Sequence, residues 1–167
     1  MTSFPSDPVL EAIRIRDYED GDAAPTLAVF LDAITHTASA DYTPQQVEAW
    51  ARRDHRDLTV WNTSMQNRVS FVATMGEDVV GFSDVSPRGY IDMMFVAPQL
   101  VGRGVAWRLL AQAEQRARAT GTRELSADVS ITARPFFERQ GFVVTATQHP
   151  IRAGVTLTNY AMRRVLD

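Results

Sequence analysis

The stretch from Tyr90 to Thr120 constrains what this chain can fold into more than any other. Tyr90 to Val96 is an almost unbroken apolar run, bounded by Arg88-Gly89 before it and by Pro98 after it. Such a run suits a central β-strand covered on both faces. Asp92 is its one charge. A short loop with Gly102 and Gly104 follows, and Val105, Leu109, Leu110, Ala113 and Ala117 then recur at helical spacing up to a stop at Thr120-Gly121. A loop that feeds directly into a helix points unpaired backbone N–H groups outward, with the positive end of the helix dipole behind them. That junction can receive phosphate or pyrophosphate. Gly104 permits close backbone approach or an unusual φ, and Arg103 and Arg108 are expected to add positive charge at the rim. No Lys-Ser/Thr follows the glycines, so this is not the P-loop of nucleotide hydrolases. It also lacks the third glycine and downstream acidic residue of a dinucleotide-binding turn. Taken alone, the stretch is equally compatible with an ordinary tight strand–loop–helix connection.

The remaining segments set this unit inside one α+β domain. Ile13 and Ile15 alternate with Arg14 and Arg16 in a half-exposed first strand. Leu27, Phe30, Leu31 and Ile34 mark one helix, and Thr43-Pro44 with Gln46 opens another through a capping-box pattern. A short helix is expected within residues 54–67, then a hairpin of Val69–Met75 and Val79–Val85 about Gly76-Glu77-Asp78. Strands are expected at 123–130, 142–148 and 155–165, with a helix at 133–140 ending on Gly141. A chain of 167 residues with 45% hydrophobic content can bury a full single core, and residues 1–11 read as a flexible or peripheral start. A net charge of −3 shows no nucleic-acid footprint, and no run is long enough to cross a bilayer. The absence of cysteine excludes disulfides and thiolate chemistry, no His/carboxylate spacing suggests a metal, and a cytoplasmic location is the default expectation.

Two separated blocks carry a family resemblance. Phe95-Val96-Ala97-Pro98 with Val101-Gly102-Arg103-Gly104-Val105-Ala106 and Leu109-Leu110 resembles the acetyl-CoA block of the GCN5-related N-acetyltransferase (GNAT) superfamily. Ser130-Ile131-Thr132-Ala133-Arg134-Pro135-Phe136-Phe137 onward to Gly141-Phe142 resembles the Asn-x-x-Ala-x-x-Phe-Tyr block on the other side of that cofactor. Asp41 to Gln46 and Gly154 to Met162 are similar to a bacterial subgroup of small acetyltransferases. Three positions depart from the pattern. Val101 stands where Gln or Arg is usual, Ser130 replaces Asn, and Phe137 replaces the tyrosine that in many relatives protonates the departing thiolate.

The resemblance implies a mixed, mostly antiparallel sheet of about seven strands flanked by helices, with a splayed central strand pair. It also implies acetyl-CoA as co-substrate and direct attack by an amine through a tetrahedral oxyanion, in a ternary complex. Backbone groups of Met94, Phe95 and Val96 are then expected to hold the pantetheine arm and the oxyanion, and Gly102, Arg103, Gly104, Val105, Ala106 and Trp107 the pyrophosphate. Ser130 and Phe137 fall beside the cofactor.

Asp92 leads as general base, because burial in the strand would make it a stronger one; the competing reading is an ion pair with an arginine. Asp128 is second. Tyr160 is the candidate acid in place of the hydroxyl missing at Phe137, against the plainer reading of a sheet tyrosine with a structural partner. His36, Tyr42 and Trp50 are candidate acceptor contacts, although a lone loop histidine is more often solvated and a helix tryptophan more often core. The expected acceptor is a small-molecule amine, with a protein amine, a longer acyl group or a non-catalytic acyl-CoA-binding role as alternatives. No nucleic acid or membrane partner is expected, and a homodimer is compatible with the family.

Overall fold

The computed structural model describes residues 7–167. Helix α1 (Pro8–Ala12), capped by the Asp7 side chain, leads into β1 (Ile13–Asp17). Helices α2 (Ala23–Asp32), α3 (Pro44–Ala51) and α4 (Leu58–Asn67) follow, with Ala33–Thr37 wound as a π-helix at the end of α2. The expected capping box of α3 is present: the Thr43 side chain takes the Gln46 N–H, and the Gln46 side chain takes the N–H of Thr43. Next come β2 (Phe71–Met75), β3 (Asp78–Ser83), β4 (Tyr90–Ile91) and β5 (Met94–Val96), then α5 (Val105–Ala119) and β6 (Glu124–Ser130). Helix α6 (Arg134–Arg139), β7 (Val143–Gln148), the hairpin β8 (Ile151–Arg152) with β9 (Val155–Thr156), and β10 (Asn159–Val165) complete the chain.

The strands form two four-stranded sheets, ordered β1-β2-β3-β5 and β4-β6-β10-β7, with the β8–β9 ribbon apart. All pairings are antiparallel except β4 with β6. The architecture is the expected α+β one, with more and shorter strands than anticipated. The supposed last strand 155–165 is interrupted at Leu157-Thr158, whose Leu157 is buried against Ala38 and Tyr42.

The expected central strand is likewise two strands, and the reason is a buried carboxylate. Asp84, only 2% exposed, accepts the backbone N–H of Asp92 at 2.9 Å and of Met93 at 3.1 Å. The Ser83 hydroxyl donates to the Met93 carbonyl at 2.7 Å. These bonds satisfy the backbone outside any ladder, so the chain leaves β6 after Ile91 and joins β3 from Met94. One apolar run thereby serves both sheets, and the sheets open away from each other on either side of it.

Helix α5 packs on the first sheet through Val105, Leu109, Ala113 and Ala117, all buried. Gly81 in β3 allows this close approach: a Cβ there would sit 3.0 Å from both the Phe95 carbonyl oxygen and Val105 Cγ1. Within the start of the chain, expected to be flexible or peripheral, Pro8–Ala12 is a peripheral helix with no buried residue. That helix lies against the glycine loop, with Arg108 donating to the Leu10 carbonyl at 3.1 Å and Asp7 paired with Arg103 at 3.3 Å. Residues 1–6 lie outside the described part.

Candidate active site

Where the sheets part, β5 is the edge of the first sheet. Ala97 N–H donates to the Val80 carbonyl at 2.8 Å, and in an antiparallel ladder the bonded residues alternate. Phe95 therefore spends its backbone groups on Phe82 in β3, whereas those of Met94 and Val96 face the open side. This corrects one expectation: Phe95 contributes its ring, which packs on Phe30 at 4.9 Å and Phe82 at 5.7 Å, rather than its amide.

The opening is a cleft of about 550 Å³ lined by Tyr90 to Phe95 on one wall and Ala127 to Ser130 on the other. Tyr42, Trp50, Arg52 and Arg56 line it from the α3 side, Ile151 to Ala153 and Leu157 to Asn159 from the β8–β10 side, and Ala133 and Phe137 from α6.

Beyond Val96 the chain runs to the glycine loop. Gly102 and Gly104 have φ of +77° and +91°, and α5 begins without any side-chain cap. The N–H groups of Val105, Ala106 and Trp107 are therefore free of intrahelical partners, as at any helix start. Nothing lies within 4 Å of where a Gly102 Cβ would stand, so that side of the loop is open. These features fit a pyrophosphate held by backbone. Of the rim arginines, Arg103 pairs with Asp7 and Arg108 reaches the Leu10 carbonyl.

The acids of the cleft differ sharply in environment. Asp92 is exposed rather than buried, its side chain 46% accessible, and it sits in the break between β4 and β5 at 3.4 Å from Arg68. The burial premise for Asp92 was wrong because Asp84 occupies the interior instead. Burial pushes the Asp84 carboxyl up to about 6, against the two amide hydrogen bonds that lower it; neighbouring Asp92 raises it and Arg68 lowers it further. Arg68 Nε lies 3.4 Å from Asp84 Oδ2, so one guanidinium spans both carboxylates. Asp128 is exposed on the other wall and accepts from the Tyr90 hydroxyl at 3.0 Å and Gln148 at 2.9 Å. The Tyr90 phenol is raised by burial first and by that hydrogen bond second. No group of three or more metal-ligating side chains occurs among the described residues.

A family model described as the acetyltransferase (GNAT) domain matches residues 38–164. The chain belongs to the GNAT acetyltransferase family. It is 40% identical to the uncharacterized N-acetyltransferase YafP of Escherichia coli K12 over 90% of this chain and 95% of that one. The crystal structure of a GCN5-related N-acetyltransferase from Rhodopseudomonas palustris superposes with a TM-score of 0.89 at 32% identity, covering 95% and 98% of the two chains. The PaiA N-acetyltransferase of Thermoplasma acidophilum, solved with coenzyme A, shares the fold at a TM-score of 0.73 and 17% identity, over 92% and 98%. The protein is thus an acyltransferase.

Within this acetyltransferase the remaining sequence candidates separate. Tyr42 and Trp50 line the cleft and pack edge to face, 5.5 Å between centroids. The Tyr42 hydroxyl donates to the Thr158 carbonyl at 2.6 Å and accepts from the Ile131 N–H at 3.0 Å, so it ties the Ser130–Phe142 block to the segment Gly154–Met162. Its phenol is raised by burial. Ser130 accepts the Ala133 N–H at 3.1 Å, holding the turn into α6, and Phe137 is buried against Phe142.

Tyr160 is not among the cleft residues; its ring lies under the Arg134 guanidinium, 4.4 Å away, on the face of β10 that continues to buried Met162. His36 is exposed on the π-helix and does not line the cleft either, because the supposed loop is helical. Trp61 on α4 is core, donating to Thr26 at 3.0 Å. Sequence reasoning missed Asp84, Arg56 and Asn159. Asn159 lines the cleft with its Oδ1 buried and unpaired among the described residues. Only the serine and aspartate ending the hairpin strand, Ser83-Asp84, hinted at a buried polar role there.

Proposed function

We propose that this acetyltransferase uses acetyl-CoA to acetylate the amine of a small molecule bound in the cleft beside Asp92, in a ternary complex. The observation that carries the reading is the parting of the sheets at β5. Exposed Asp92 and Asp128 stand on the two walls of the cleft there, Met94 and Val96 turn their backbone groups to the open side, and the same segment leads on to an uncapped, glycine-rich helix start. The coenzyme A bound in the PaiA structure supports it.

An acetyl thioester supplies an activated acyl carbon: a C–N bond to the amine forms as the C–S bond breaks, and sulfur keeps the electron pair. The residues of this chain do the rest. Amides of Val105, Ala106 and Trp107 take the pyrophosphate, and Gly102 and Gly104 let the backbone approach it. The Met94 and Val96 N–H groups stabilise charge developing on the carbonyl oxygen. Asp92 accepts the proton of the amine, directly or through one water, while Arg68 holds it in place. Asp128 is the second candidate, already committed to Tyr90 and Gln148. Thiolates, with a pKa of about 8.5 for a free cysteine, leave without a protonating residue. Phe137 therefore costs the reaction little, and Tyr160 is not required as acid.

Incubation with acetyl-CoA and a panel of amines, following thiol release, tests the reading. Acceptor-dependent release is expected. Tight coenzyme A binding with no release for any acceptor would sink it.

A further inference from the structure

Three arginines line the cleft outside any ion pair. Arg52 ends α3, Arg56 follows the 3-10 turn Arg53–His55, and Arg152 stands on the β8–β9 hairpin across from them. Among the described residues none of the three forms an ion pair, although most other arginines near an acid do. Arg56 is the built member. Its Nε donates to the Ala51 carbonyl and its Nη2 to the Trp50 carbonyl, both at 2.9 Å, and its guanidinium lies 4.8 Å above the Phe30 ring. Two of five N–H donors are thereby used to fix the group, leaving the others for a ligand. Burial lowers the Arg56 pKa, and so do Arg52 and Arg152; the charges acting on it are of its own sign. Arg56 is partly buried and faces two exposed charges of its own sign, an arrangement that an anion joining them would relieve.

The acidic side chains of the same cleft, Asp92 and Asp128, belong to other elements, at the break after β4 and on β6. We propose that the acceptor is dipolar: an amine directed to the Asp92 wall and an anionic group, carboxylate or phosphate, held by Arg56 with Arg52 and Arg152. A bidentate fork is the geometry arginine offers such groups. This inference rests on the acetyltransferase reading above and narrows its substrate class. It also excludes polyamines and other purely cationic acceptors, which the arginines would repel.

The test compares matched pairs of probes: free α-amino acids against their amides, and phosphoethanolamine against ethanolamine. For each, thiol release from acetyl-CoA is followed, and thermal stabilisation is recorded in the presence of coenzyme A. The anionic member is expected to have at least a tenfold higher kcat/KM and to stabilise the protein. The better of the carboxylate and phosphate series identifies the source of the anion. Arg152→Gln, at an exposed position, and Arg56→Gln are expected to remove that preference through KM while leaving coenzyme A affinity unchanged. If Arg56→Gln fails to fold, Arg152→Gln decides alone. Equal or better use of the neutral members overturns the inference and leaves the transferase reading standing. So does a preference that survives both substitutions, or a loss of coenzyme A affinity, which would assign the arginines to the cofactor. Arginine-dependent stabilisation by anionic probes without thiol release would uphold the anion site and defeat the transferase reading instead. No stabilisation and no turnover with any anionic probe overturns the proposed site.

Discussion

The two ends of the cleft are built on different principles. The helix-start end is made of backbone: two glycines at positive φ and the free amides of Val105 to Trp107, all within a few residues of one another. The acceptor end is made of side chains from β4, β5, β6, α3, the turn after it and the β8–β9 hairpin. A backbone site tolerates changes of side chain as long as φ and the helix start are kept, which is why Val101 can stand where relatives carry Gln or Arg. A side-chain site depends on each group and on the burial of its neighbours. Single substitutions should therefore cost most at the acceptor end and least at exposed loop positions of the other end.

The sharpest break is at Asp84. Its folded pKa of about 6 lies above its ordinary 3.8, so the native protein holds this proton to higher pH than the unfolded chain does. The group's effect is most favourable below about pH 4 and declines as pH rises through about 6, by roughly 3 kcal/mol at full effect. Asp84→Asn should abolish that decline. Denaturant melts of both proteins between pH 4 and pH 7 should show the variant gaining on the wild type across this window, and parallel profiles would show that burial does not raise the Asp84 carboxyl.

Asp92→Ala should come next, lowering kcat about 10²-fold with whichever amine supports thiol release, at the lower end of general-base effects. Calorimetry should find coenzyme A binding intact. If kcat holds instead, Asp128 or water is the base.

At the backbone end, Gly104→Ala places a Cβ at φ +91°, where it would meet Leu10 Cδ1 at 2.6 Å. A loss of about 1–2 kcal/mol is expected from the left-handed backbone alone. Coenzyme A should bind about tenfold more weakly if that strain appears in the bound state. A normal isotherm would mean that the amides do not hold the diphosphate.

The smallest effect is expected for Val101→Gln. Val101 is 53% exposed, and restoring the family's usual residue should change coenzyme A affinity by less than about 0.5 kcal/mol, the ordinary range for surface changes. A large gain would show that the loop relies on side chains after all.

Legibility followed the same division. The α5 unit, its glycines and the capping box of α3 were readable because each is specified by residues three or four apart, and local patterns carry local bonds. The chain near Asp92 was not. Its apolar run reads as one strand, yet Asp84, eight residues earlier in sequence, takes two of its amides and divides it between sheets. Tyr160 looked available for acid chemistry from strand position alone, but alternation on β10 turns it under Arg134. His36 was lost to an unanticipated π-helix.

By itself, then, the amino-acid order determined the α+β architecture and the helix start that fits a diphosphate, since these rest on short-range periodicity and backbone freedom, while two motif blocks carried the resemblance to the family. Only the tertiary structure decided which aspartate is buried, which is open to the cleft, and that Arg52, Arg56 and Arg152 meet there unpaired. The reason is that burial and charge proximity are properties of segments up to a hundred residues apart, brought together by the two sheets, and no local pattern encodes what will lie opposite.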